Sequence, residues 1–321
     1  MTSSREVRVA SVKAALVYHL PGRAVARIED RGTWIRQQFR ITLDDGEVVY
    51  LKIDADFSCS VKEAYIAGLL RDHGLPAPET LALDATGDLL PSPLIIQAHL
   101  GGRRMGDLLR EADGAGRRGI YAALGDVYRR LHAIHHDTPG WIDGPGTVYP
   151  GSPNAHQYEA VIVTIGAQAV AQGHLSRDAY RRLQALWTQQ RPYLDAYEPT
   201  LVTGGALHWT VYLDKNDGWH VTKVMDLADF CYWDPAWDLA SLRYPSFLAE
   251  PDTVSWQAFL EAYGAEPDEK RLLLYLLMQR LDAAMGNYMA PPYPAHARWR
   301  GEAWASYELL IDRTEALRWF H

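Results

Sequence analysis

Cysteine is scarce: Cys59 and Cys231 are the only two in 321 residues. That is too few for a disulfide framework or a four-thiolate zinc site. Two reduced thiols fit a reducing compartment, so a cytoplasmic protein is expected. Long apolar runs are also absent. The longest candidate, Leu272–Met278, falls far short of the roughly 20 residues that cross a bilayer, so no membrane partner is expected. Arg5, Arg8 and Lys13 interrupt the N-terminus where a secretory leader would be apolar. Positive charge is in deficit, since 32 Lys and Arg against 40 Asp and Glu leave a formal charge of −8. Phosphate backbones call for clustered positive charge, so nucleic acid is excluded as the main partner.

What is present is core-forming material, with 48% hydrophobic and 22% charged residues. The length implies one large domain or two closely packed ones. Alternating runs at Ala24–Ile28, Gln38–Leu43 and Val48–Ile53 predict strands. The Asp44-Asp45-Gly46-Glu47 step between the last two is a hairpin signal. Val61–His73 reads as a helix stopped by Gly74, Pro76 and Pro78. Pro93–Ala98 reads as a further strand.

After Gly101-Gly102 the pattern turns helical. Ile120, Leu124, Val127, Leu131 and Ile134 mark one buried face of a helix spanning Ile120–His135. Ser176–Tyr193, Trp256–Tyr263 and Asp268–Met289 read likewise, and the Gly- and Pro-rich Thr138–Asn154 reads as a long loop. A boundary therefore falls near Leu100–Gly102, between a strand-rich segment and a helical one.

Chemistry concentrates between residues 200 and 240. Short strands at Thr200–Val202 and Val211–Leu213 flank Thr203–Thr210, and His220–Met225 leads into Asp226 and Asp229, followed by Asp234 and Asp238. A carboxylate at the end of a buried strand is costly without a cation or donors, which marks Asp226 as a metal or hydrogen-bonding residue. Asp238 has a second reading, as a cap on backbone N–H groups.

The ungapped stretch Met225-Asp226-Leu227-Ala228-Asp229 through Asp234-Pro235-Ala236-Trp237-Asp238-Leu239-Ala240 resembles the metal-binding segment of the aminoglycoside phosphotransferase and choline kinase family, relatives of the protein kinases. The resemblance runs over about residues 24–245. It implies an α+β, two-lobed protein-kinase-like fold, with a small strand-rich nucleotide-binding lobe at 1–100 and a larger helical lobe at 101–321. Lys52 resembles the strand lysine that meets nucleotide phosphates, and Glu63 its helical ion-pair partner. Leu94–Gly102, with Gln97 and His99, resembles the hinge that holds adenine through backbone groups. ATP, Mg²⁺ and a small-molecule substrate are the ligands so implied, with Asp226 as the metal residue. The phosphate-covering loop, Asp30–Trp34, carries a single glycine.

The catalytic loop departs from the family pattern. In the register fixed by Gly205, Leu207, His208 and Leu213, Ala206 stands where the family has its catalytic Asp and Val211 where it has its metal-binding Asn. An alanine methyl accepts no proton, and a valine offers magnesium no oxygen. The expectation is a member diverted from orthodox phosphoryl transfer, acting on a small molecule of antibiotic or secondary metabolism by acid/base chemistry. His208, Asp226 and Asp229 are the candidate catalytic residues, while Trp209, Trp233 and Trp237 are candidate walls of a substrate pocket. Two further readings stand beside it. One is an ATP-dependent phosphotransferase in which Ala206 is an inactivating substitution or another base is used; the other is a non-catalytic ligand- or nucleotide-binding pseudokinase.

Overall fold

The computed structural model describes residues 9–32, 37–53, 57–90, 92–204, 210–243, 253–285, 307–312 and 314–315. The chain divides into two compact units. One comprises Met1–Glu111, Ile142–Tyr149 and His208–Phe230; the other comprises Ala112–Trp141, Pro150–Leu207 and Cys231–His321. The chain thus returns to its first unit twice, at Ile142 and at His208.

In the first unit, α1 (Val9–His19) precedes β1 (Val25–Asp30), β2 (Gln37–Leu43), β3 (Val48–Ile53), α2 (Phe57–Asp72), β4 (Thr80–Asp84) and β5 (Leu94–Ala98). The five strands form one antiparallel sheet in the order β1-β2-β3-β5-β4. The β2–β3 turn is closed by Asp45, whose carboxylate accepts the Glu47 N–H at 2.9 Å. Strand side chains alternate between faces. Phe39, Ile41 and Leu43, with Val49, Leu51, Ile53, Leu94 and Ile96, therefore share one face, packed on Val12, Ala15 and Leu16 of α1. Lys52 and Gln97 consequently point to the other face. The helix α1 and the strand β4 carried no clear signal in the sequence reading.

A second sheet of this unit joins β6 (Arg103–Arg104) to β10 (Val211–Lys215) and β11 (Trp219–Val224), with β10 in the centre. Gly102 makes the entry to β6 possible. Its φ is +95°, and a Cβ there would clash with Thr222 and lie 2.9 Å from the Leu213 carbonyl. Only glycine meets both conditions. α3 (Met105–Glu111) follows β6 directly.

The second unit is mainly helical. α4 (Gly114–Leu131) starts at Asp113, which caps the Gly116 N–H at 2.7 Å. α5 (Pro153–Gln157), a π-helical segment (Tyr158–Ile165), α6 (Gly166–Ala171) and α7 (Arg177–Leu194) follow, and then α8 (Ala236–Arg243), α9 (Thr253–Tyr263) and α10 (Glu269–Met285). The stretch expected to be a long loop holds β7 (Gly140–Ile142), β8 (Val148–Pro150) and the start of α5. β12 (Cys231–Trp233) pairs with β7 on one side and with β9 (Thr200–Val202) on the other. Those partners lie far apart in sequence, so local composition revealed β9 but not β7 or β12. Arg271 of α10 ties this region together by donating to Asp234 at 2.6 Å.

Candidate functional site

Lys52 and Glu63 are the clearest of the expected site residues to be brought together. Lys52 projects from β3 and is 2% exposed, Glu63 projects from α2 and is fully buried, and the two are directly paired. A lysine buried this deeply needs a carboxylate nearby, because desolvation disfavours an isolated charge.

Gln97 lies on the same sheet face, since Gln97 pairs with Tyr50 and Ile95 with Lys52 across β3 and β5. It is 1% exposed, and neither its amide nitrogen nor its amide oxygen has a partner. Two orphaned polar atoms on one buried side chain are an uncommon expense in a folded protein. His99 continues beyond β5, with its ring 5.4 Å from that of Tyr50. Burial, reinforced by the positive charges of Lys223 and Arg40, disfavours its protonated form.

Asp226 is exposed rather than buried at a strand end as expected. Its backbone adopts φ 56°, ψ 46°, the left-handed conformation, and among the described residues no other non-glycine has positive φ. The αL well is costly for most L-residues and less so for Asp. A residue held in this well marks a geometry imposed by its surroundings. A single 3-10 turn, Leu227–Asp229, follows it, and Asp229 is also exposed. Among the described residues, no group of three or more His, Cys, Asp and Glu side chains is placed to hold a metal ion. Val211, at the second metal-ligand position implied by the resemblance, is fully buried and pairs with Val224. Its isopropyl group offers no oxygen, so these residues do not fit a magnesium site of the two-ligand kind.

The remaining expected residues fare differently. Ala206, His208 and Trp209 lie outside the described residues. Trp233 and Trp237 are core residues of the second unit: 1% and 6% exposed, stacked with ring centroids 4.2 Å apart, and met edge-on by Tyr275. The Trp233 indole N–H donates to Asn154 at 3.0 Å. Their rings pack against one another and against Tyr275. Asp238 is fully buried and accepts both the Thr203 N–H and the Thr203 hydroxyl at 2.8 Å, with His132 Nε2 at 3.5 Å. It holds the chain leaving β9, in keeping with the capping reading.

Sequence reasoning passed over Lys223 and Arg104. Lys223 is the penultimate residue of β11 and 4% exposed. Its ammonium donates to the Leu100 carbonyl at 2.9 Å and sits 4.1 Å from the Tyr212 ring centroid. Tyr212 is flanked on β10 by Lys223 from one strand and Arg104 from the other, and its hydroxyl accepts from Arg104 Nε at 2.9 Å. Burial, then Lys52 and Arg104, lower the Lys223 pKa to about 8. The available signal was a lone lysine in the strand, three residues before Asp226.

A strand lysine paired with a helical glutamate beneath a five-stranded antiparallel sheet, followed by helices, defines a kinase-like phosphotransferase architecture. The chain belongs to the phosphotransferase enzyme family, whose sequence model matches residues 27–275. Its structural neighbours include a thermostable mutant of aminoglycoside phosphotransferase APH(4)-Ia in ternary complex with AMP-PNP and hygromycin B. That protein is 15% identical, covers 95% of this chain and 99% of its own, and has a TM-score of 0.67. A Ralstonia eutropha JMP134 protein provisionally assigned as an aminoglycoside phosphotransferase is also 15% identical, covering 97% and 99% with a TM-score of 0.69. The GDP and kanamycin complex of APH(2")-IIIa is 14% identical, covering 96% and 99% with a TM-score of 0.64. No curated protein sequence matches this one.

Proposed function

We propose that this protein keeps the nucleotide-binding face of the family but is diverted from orthodox phosphoryl transfer, and that it binds and transforms a small molecule. Lys52, held by Glu63, is the phosphate-binding residue, and Leu94–Gly102 is the edge that receives the base. The observation that carries the diversion is Val211, a fully buried aliphatic side chain in β10 at the position where a metal oxygen ligand is needed. Ala206 in the preceding loop removes the proton acceptor as well. Loss of a general base alone costs about 10²–10⁴ in rate. His208, Asp226 and Asp229 are the groups left for acid/base chemistry, and the small molecule belongs to the antibiotic or secondary-metabolite class that the family's relatives handle.

The test is ATP consumption with a panel of aminoglycoside alcohols, for the native sequence and for Ala206→Asp. The expected result is no phosphorylated product from either, because the variant still has Val211. Brisk phosphorylation by the native chain, or its appearance on the single substitution, overturns the reading in favour of an ordinary phosphotransferase. The intact Lys52–Glu63 pair is the observation on the side of that second outcome.

A further inference from the structure

The Leu100 carbonyl lies in the segment assigned above to the nucleobase, and it is already occupied: Lys223 donates to it at 2.9 Å. An exposed backbone carbonyl accepts hydrogen bonds and so suits an amine. A lysine ammonium has three donors and no acceptor, so it turns that edge into a donor edge. Among the described residues, Lys223 has no carboxylate partner there. Lys52 and Arg104, both positive, act on its charge, and it lies against the Tyr212 ring face. A second observation points to a ligand on the same side of the unit. Gln97, 1% exposed and with both amide atoms unpartnered, lies on the Lys52 face of the sheet, where His99 feels the charge of Lys223. An amide can turn to present either its donor or its acceptor, so it adapts to a ligand edge without choosing one. Lys223 cannot adapt in that way.

We propose that Lys223 is a specificity-determining residue that makes the site select a purine bearing an oxo group at position 6 over one bearing an amino group. The inference rests on the nucleotide reading above. An amino group directed at the ammonium sets donor against donor, whereas an oxo group receives a charge-assisted hydrogen bond. Setting a ligand donor against such an ammonium in a buried site weakens binding by about tenfold or more.

Inosine triphosphate and adenosine triphosphate differ at that edge of the base, which makes them the probes. Tripolyphosphate, which lacks a base, reports on the phosphate site alone. Calorimetric titration of the native protein should give inosine triphosphate at least about tenfold tighter binding than adenosine triphosphate. Lys223→Met, which keeps the stem and removes the donors, should bring the ratio to one or below, and Lys223→Arg should retain it. Should Lys223→Met fail to fold, the native and Lys223→Arg ratios still decide. Equal affinities in the native protein, or a ratio unchanged in a folded Lys223→Met, overturn the proposal, because a lysine that merely pins the Leu100 segment would leave the ratio alone. If tripolyphosphate binds, is lost in Lys52→Met, and the two nucleotides bind equally, the nucleotide reading survives and this inference falls. If none of the three binds, both fall.

Discussion

At the residue scale, buried charge governs the candidate site. Replacing Lys52 by Met removes the lysine from a fully buried glutamate, and breaking one side of such a pair costs about 3–5 kcal/mol. Urea titration should show that loss, and Lys52→Met combined with Glu63→Gln should lose less than the sum of the two single changes. Lys223 gives a pH dependence of defined sign. Its folded pKa of about 8 lies below the ordinary lysine value of 10.5, so between those values the unfolded chain binds the extra proton. Stability contributed by this group therefore rises as pH increases from about 8 to about 10.5, and its burial penalty is complete below that window. Lys223→Met should be the more stable protein at pH 7, by on the order of 1 kcal/mol once solvent screening is allowed for, and that advantage should shrink by pH 10. Melting curves at both pH values check it. Asp226 adds a backbone prediction: Asp226→Gly should be tolerated in stability, whereas Asp226→Val should lose about 1–2 kcal/mol in the left-handed well.

At the element scale, close backbone contacts set the tolerances. A Cβ on Gly125 of α4 would collide with the Phe259 carbonyl and lie 2.8 Å from Ala262 on α9. The obstruction includes backbone that cannot rotate away. Gly125→Val should therefore cost about 3 kcal/mol, seen as a fall of several degrees in melting temperature, while a substitution at exposed Gly114 should not. The junction of β9 and α8 is equally specific. Asp238→Ala strands the Thr203 N–H and hydroxyl, and should cost about 3 kcal/mol. The alternation of β2, β3 and β5 was legible before the structure, because one face of each strand is apolar. The same holds for α7 and for the body of α4, whose amphipathic spacing is a local signal, although α4 starts at Gly114 rather than at Ile120 as expected. α1 was not legible from its composition. It is a short helix that becomes a core element by covering the apolar face of a sheet.

At the scale of the whole molecule, the sequence determined the family, the Lys52–Glu63 pairing and the loss of oxygen at positions 206 and 211, since these are properties of residue type and spacing. It could not determine that Trp233 and Trp237 would stack on one another in a core, or that Asp226 would take a left-handed backbone at the surface. Nor could it show that the chain returns at His208 to the unit formed by its first 111 residues. The tertiary structure alone decided that Lys223 would reach the Leu100 carbonyl, 123 residues earlier in the chain. A side chain's chemistry is written in its identity, but the partner that saturates or opposes it is chosen by packing between segments distant along the chain.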